Sequence, residues 1–194
     1  MPKRSNLSPK RSALIVVDMQ NDFCMKDGAL YIKGAEEIFD NTRKAIEEAR
    51  RSNVKVIFTQ DWHEEDDPEF DIWPKHCIKG TWGSEIIEIL GSSEEDHKIK
   101  KRRYSAFFGT DLDLFLREDG IEDLVICGVS ANICVLHTAG DASMRGYNVS
   151  ILKDCVKAPS DYEEEYALKH MENVFNAEVI RSDELNFNQS TSPR

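Results

Sequence analysis

The sequence predicts an α/β protein: a doubly wound, mostly parallel six-stranded sheet with helices on both faces, in three layers. Three observations predict it. Apolar runs of strand length alternate with segments of helical period along the whole chain. The first run, Ala13-Leu-Ile-Val-Val17, is apolar at every position, as a strand covered on both faces must be. Polar residues capable of chemistry stand directly after four of the strands, where open parallel sheets bind their ligands.

After the Ala13–Val17 strand, a helix is expected from Ala35 to Ser52, with Ile38, Phe39, Thr42, Ala45, Ile46 and Ala49 on one face. Val54 to Thr59 reads as the second strand. Asp61 to Gly83 is a long irregular segment rich in Asp, Glu, Pro and Trp, a length that in compact domains marks a functional loop. Ser84 is expected to cap a short helix through Leu90, and His97 to Lys100 to form a third strand. Thr110, with Asp113 three residues on, opens a helix that Gly120 closes. Leu124 to Cys127 is a buried strand broken by Gly128. A helix carrying Cys134 in its first turn follows and ends at Gly146. Tyr147 to Leu152 is the fifth strand. Ser160 and Glu163 form a capping box for a helix to about Phe175, and Ala177 to Ile180 is the last strand.

The chain has 194 residues, enough for one domain with a full core, expected over 12–185 between a flexible tail (1–11) and a disordered one (186–194). Hydrophobic residues make up 40% and charged residues 31%, which fits a globular protein in water. A net charge of −11 argues against nucleic acid as a partner, because phosphate contacts need a basic face. No apolar stretch spans a membrane and no signal peptide is evident. Five cysteines without C-x-x-C pairing suggest reduced thiols in a cytoplasm.

Asp18, Asp61, Lys101 and the turn leading to Cys134 each follow a strand, so an acid, a second acid, an amine and a thiol converge on one edge. A thiol in a first helical turn faces unpaired backbone N–H groups, which favour the thiolate. A lone Cys is more often a packing residue, and the partners decide. Asp18 is either a turn acid or a general base for that thiol. Lys101 lies in a basic run with Lys98, Lys100, Arg102 and Arg103, and spacing alone does not separate a thiolate partner from a solvated face. Val129 and Ser130 precede the nucleophile turn and can present an N–H, with that of Cys134, to an oxyanion.

Asp61-Trp-His63 places two ligands on one side of an extended segment, and His76 returns to close a site. A carboxylate and two imidazoles suit one divalent metal ion, zinc foremost, with iron(II) or manganese(II) as alternatives. Glu69 is an open fourth position. Phe23, Trp73 and Tyr104 flank these groups and can wall a slot for a flat ring, or be plain core. His137 is read as a structural residue. No G-x-G-x-x-G or Walker motif is present.

Five ordered motifs carry a resemblance: Val16-Val-Asp-Met-Gln-Asn-Asp-Phe23; Gln60-Asp-Trp-His63; Trp73-Pro-Lys-His-Cys-Ile-Lys-Gly-Thr81; Lys101-Arg-Arg-Tyr-Ser-Ala-Phe107 with Gly109-Thr-Asp-Leu112; and Gly128-Val-Ser-Ala-Asn-Ile-Cys-Val135. Over about Ser12 to Ile180 the chain resembles the isochorismatase-like cysteine hydrolases, a Rossmann-like fold, and among them the nicotinamidases, or pyrazinamidases. The resemblance implies a Cys134–Asp18–Lys101 triad, with the Tyr-Ser-Ala-Phe motif singling out Lys101 from its basic run. It implies a cis peptide at Val129–Ser130 and a metal at Asp61, His63 and His76 that holds a substrate ring nitrogen. Isochorismatases generally lack that metal site. The implied reaction is hydrolysis of nicotinamide through a Cys134 thioester, in NAD salvage and pyridine nucleotide synthesis. N-carbamoylsarcosine or ureido-acid amide hydrolysis, or isochorismate hydrolysis, is the alternative on the same triad. The expected partners are a small amide substrate and further copies of the chain in a homo-oligomer, with no nucleic acid or membrane.

Overall fold

The computed structural model describes residues 6–187. Its main sheet has six strands: β1 (Ser12–Val17), β2 (Lys55–Asp61), β3 (His97–Lys101), β4 (Asp123–Val129), β5 (Asn148–Lys157) and β6 (Glu178–Ile180). Neighbours all run parallel in the order β3-β2-β1-β4-β5-β6. The chain winds outward in one direction from β1 and in the other from β4. The crevice between their carboxyl ends is therefore the topological switch point, where open α/β sheets bind ligands.

Side-chain alternation sorts the strands onto two cores. Leu14, Val16, Phe58, Val125 and Cys127 face one layer, covered by α2 (Phe39–Arg51) through Ala45, Ile46 and Ala49. Ala13, Ile15, Val17, Leu124 and Ile126 face the other. That face is covered by α3 (Leu112–Glu118), α4 (Leu136–Met144) and α5 (Asp161–Phe175) through Leu112, Leu116, Ala139, Ala142, Ala167 and Met171. Each fully buried Leu, Ile or Val stabilises this arrangement by roughly 1.5–3 kcal/mol. Burial on both faces explains why β1 is apolar at every position. A four-residue helix, α1 (Asn21–Cys24), follows β1 directly.

Gly128 is required where β4 passes β1. Its φ is +111°, and a Cβ there would lie 2.1 Å from the Val17 carbonyl oxygen. The glycine thus brings the two strands whose ends carry Asp18 and Cys134 into close approach.

Several expectations are corrected. The helix expected from Ser84 to Leu90 is absent. Ser84 Oγ donates to the Thr81 carbonyl instead of capping, Ile86 bridges Gln20, and only Glu88–Leu90 makes a 3-10 turn. Asp111 directly precedes α3 but makes no capping bond; Thr110 Oγ1 accepts from the Leu112 N–H at 3.3 Å, as an opening residue should, and its hydroxyl donates to the Ala106 carbonyl. The fifth strand extends to Lys157, with an irregularity opposite Ile126–Gly128. At α5, Ser160 accepts from the Glu163 N–H as a cap should, while Ser160 Oγ donates to Glu163 Oε2. Part of each expected tail, 1–11 and 186–194, is built into the fold. Asn6–Leu7 pairs with Asn186–Phe187, because Leu7 and Phe187 bury themselves at the edge of the α2-side core. Residues 1–5 and 188–194 of those tails lie outside the described residues. Among the described residues no helix is long and apolar enough to cross a membrane.

Candidate active site

The strand ends deliver the triad to one buried point. Lys101, the last residue of β3, places its Nζ 2.7 Å from Asp18 Oδ2, 2.5 Å from Asp61 Oδ1 and 3.6 Å from Cys134 Sγ. Asp18 immediately follows β1 with φ of +48°, a left-handed conformation that costs a non-glycine residue free energy and recurs at functional sites. Thr59 on β2 holds it there: its hydroxyl accepts from the Asp18 N–H at 3.1 Å and donates to Oδ1 at 2.6 Å. Oδ2 is left facing Lys101 as an ion pair, with no further hydrogen-bond partner. The Val129–Ser130 peptide is cis, as the resemblance implies.

Cys134 does not open a regular α-helix. It sits in a π turn, Ala131–Val135, that precedes α4. Burial pushes its thiol well above the ordinary cysteine range, with Lys101 pulling it down and Asp18 and Asp61 pushing it further up. Burial thus works against the thiolate that the first helical turn was expected to favour, and a neighbouring base is needed to take the proton. Burial also raises Asp18, against the pull of Lys101. Lys101 stays charged, because the two carboxylates outweigh its desolvation. One ammonium thus lies between two carboxyl groups beside the thiol.

The second cluster joins the first at Asp61. Donor atoms of Asp61, His63, Glu69 and His76 all lie within 4.8 Å of one another, and all four residues are buried. Asp61 Oδ2 is 3.7 Å from His63 Nε2 and 3.8 Å from His76 Nε2. His76 Nδ1 donates to the Pro74 carbonyl at 2.7 Å, which turns the Nε2 lone pair toward the cluster. His63 Nε2 and Glu69 Oε2 are buried without an aligned hydrogen-bond partner, Glu69 Oε2 lying 3.5 Å from Arg103 Nη1. Orphaned donors of this kind, converging as one carboxylate, two imidazoles and a second carboxylate, fit a divalent metal ion. Phe70 packs against both imidazole rings, with centroids 5.3 and 5.6 Å away.

Thiol and donor cluster open into one cavity of about 330 Å³. Phe23, Trp73 and Tyr104 line it, with Tyr31, Ile133 and Ser130. Trp73 Nε1 donates to the Tyr104 hydroxyl at 3.1 Å, which sets two of the walls relative to each other. His137 instead bonds the Ile133 carbonyl at the protein surface, in keeping with a structural part.

Several supporting residues escape the sequence reading. Gln20 behaves as a strand substitute: its Oε1 accepts from the Asp61 N–H and its Nε2 donates to the Asp61 and Ser84 carbonyls. Asp22 accepts from the Cys77 N–H at 2.7 Å, fixing the chain just after His76. Thr59 and Asp67 complete the set. Thr59 occupies a strand position that reads as ordinary core. Asp67 lies in an acidic stretch, Glu64-Glu-Asp-Asp67, that reads as solvated surface.

Comparison with known proteins agrees with this geometry. The isochorismatase domain profile matches residues 12–184. A nicotinamidase from Bacillus subtilis superposes with a TM-score of 0.84 at 36% identity, covering 88% of this chain and 99% of its own. An N-carbamoylsarcosine amidase from Thermoplasma acidophilum gives 0.82 at 41% identity, covering 89% and 97%. A pyrazinamidase of Pyrococcus horikoshii in complex with zinc gives 0.83 at 35%, covering 88% and 99%.

Proposed function

The chain belongs to the isochorismatase family, as one of its cysteine hydrolases acting on amides, and from that premise we propose that it hydrolyses nicotinamide to nicotinate and ammonia. One observation carries the choice of substrate. The cavity that joins Cys134 to the donor cluster is walled by Phe23, Tyr31, Trp73 and Tyr104, and the described residues lining it include no Lys or Arg. N-Carbamoylsarcosine, ureido acids and isochorismate all carry a carboxylate, and apart from an ion bound at the donor cluster the lining offers no cation to pair with one. A neutral aromatic amide needs none.

In this reading Asp61, His63 and His76, with Glu69, hold one divalent ion, zinc foremost, which when bound supplies a Lewis-acid anchor for the pyridine nitrogen. Phe23, Trp73 and Tyr104 pack on the ring and exclude water. Asp18 accepts the thiol proton on its carboxylate as Cys134 Sγ attacks the amide carbon. The carbonyl oxygen becomes an oxyanion, held by the N–H groups of Ser130 and Cys134. Lys101 keeps the proton-laden Asp18 and the reacting sulfur in an electrostatically balanced pocket. Asp18 then protonates the leaving nitrogen, the C–N bond breaks, and ammonia departs. Water attacks the thioester with Asp18 as base, nicotinate leaves, and the thiol regains its proton. Nicotinate is a pyridine nucleotide precursor, so this reading puts the enzyme in NAD salvage.

The test is ammonia release from a panel of nicotinamide, pyrazinamide, N-carbamoylsarcosine and ureidoacrylate, with isochorismate hydrolysis followed separately. The expected result is a kcat/KM for nicotinamide at least tenfold above every carboxylate-bearing substrate. Preference for a carboxylate-bearing substrate would overturn the assignment while leaving the amide hydrolase intact.

A further inference from the structure

Asp67 is an acidic side chain buried to 2% exposure, surrounded by groups that belong to both halves of the site. Its Oδ2 lies 3.1 Å from His63 Nδ1, a short but bent contact. Arg102 donates to Oδ2 from Nε at 2.8 Å, and Arg103 Nη1 donates to Oδ1 at 3.1 Å. Oδ1 also accepts from the Glu69 N–H at 3.0 Å, capping the turn Pro68–Asp71 that presents Glu69. Both arginines directly follow Lys101, and Lys101 Nζ donates to the Arg103 carbonyl at 3.1 Å. A continuous run of polar contacts therefore links Lys101 to His63 through this one carboxylate.

We propose that Asp67 is the positioning residue of the metal-donor cluster: clamped by Arg102 and Arg103, it holds His63 with Nδ1–H outward and the Nε2 lone pair inward, and it locks the donor loop to the end of β3. The role rests on the reading of Asp61, His63, Glu69 and His76 as a metal site. Its physical basis is general. A carboxylate behind a ligating histidine fixes the ring's tautomer and orientation and raises its basicity, and loss of such a partner typically weakens metal binding about 10–100-fold. Neutralising Asp67 would also leave Arg102 and Arg103 without their shared counter-charge. A purely structural part for Asp67, as the cap of its turn, is the rival explanation, and it predicts a different outcome for Asp67→Asn. Asparagine caps as well as aspartate does, but it removes the anion behind His63.

The experiment uses the full-length protein, stripped of metal and titrated with Zn²⁺ against a chromophoric chelator, then with Co²⁺ followed by its visible absorption. Asp67→Asn is expected to weaken Zn²⁺ binding at least tenfold and to shift the Co²⁺ bands, with the metal-free protein still unfolding in one cooperative transition. Asp66→Asn removes the same charge from the neighbouring exposed position and is expected to stay within twofold of wild type. The Arg102→Leu/Arg103→Leu pair releases the clamp from the surface side. It is expected to weaken Zn²⁺ severalfold, and it provides the measurement if Asp67 variants fold poorly. Wild-type Zn²⁺ affinity and unchanged Co²⁺ bands in Asp67→Asn, or in the arginine pair, would overturn the positioning role alone. A wild-type protein that binds neither ion would overturn the donor cluster and the role of Asp67 with it.

Discussion

The two halves of this site are built by different means. The triad stands on strand ends: Asp18 after β1, Lys101 at the end of β3, Cys134 in the turn after β4. Its geometry follows from sheet register and from the close approach that Gly128 allows. The donor cluster stands mostly on a loop, and no ladder holds it beyond a single bridge between His63 and Ile78. That loop is fixed by side chains bonding backbone: Asp22 to Cys77, Asp67 to Glu69, and Gln20 to Asp61 and Ser84. Asp61 belongs to both halves, as the last residue of β2 and the shared partner of Lys101, His63 and His76. The difference teaches that reactive groups can be rigid for two unrelated reasons, and that each half should fail in its own way when cut.

Three substitutions would break or sharpen that contrast. Cys134→Ala should lower ammonia release by about 10⁴-fold or more, as loss of a nucleophile does. Zn²⁺ binding should stay at the wild-type level, since the donor cluster does not depend on the sulfur. Parallel loss of metal would show that the halves are not separable. Lys101→Met removes the only ammonium between two buried carboxylates, and breaking such a cluster from one side costs about 3–5 kcal/mol. Urea unfolding should show that loss, and a second change, Asp61→Asn, should recover part of it. An unaltered midpoint would mean that water, not Lys101, satisfies Asp18 and Asp61. His76→Ala should raise KM for nicotinamide by about 10–100-fold through lost metal, yet leave the rate of Cys134 alkylation by iodoacetamide unchanged. Slower alkylation would tie the donor loop to the triad more tightly than the geometry suggests.

The strands and the residues directly after them were legible because burial on both faces demands unbroken apolar runs, and because a polar residue after such a run is conspicuous. Asp18 was visible in this way and Cys134 through the turn after such a run, while Lys101, at the end of the polar run His97-Lys-Ile-Lys-Lys101, was singled out only by the family resemblance; the convergence itself followed from parallel topology. His63 and His76 were visible as residue types, though their partners were not. Gln20 and Thr59 look like an ordinary turn and core residue until the fold brings Asp61 and Asp18 to them. Asp67 looks like one of several surface acids, and only the return of Arg102 and Arg103 beside it shows otherwise. The mistaken helix at Ser84 has the same origin: the local capping signal was outweighed by a distant pair of glutamines that bond its carbonyl.

By itself the sequence determined the six-strand frame, the two packed faces and the candidates for the reacting groups, because hydrophobic period and residue chemistry are local properties. Tertiary structure alone decided the burial of Cys134, the reach of Lys101 to two carboxylates, and the pairing of Asp67 with His63. These depend on burial and on distances between residues far apart along the chain, and neither electrostatic balance nor desolvation can be summed until the chain has closed around the site.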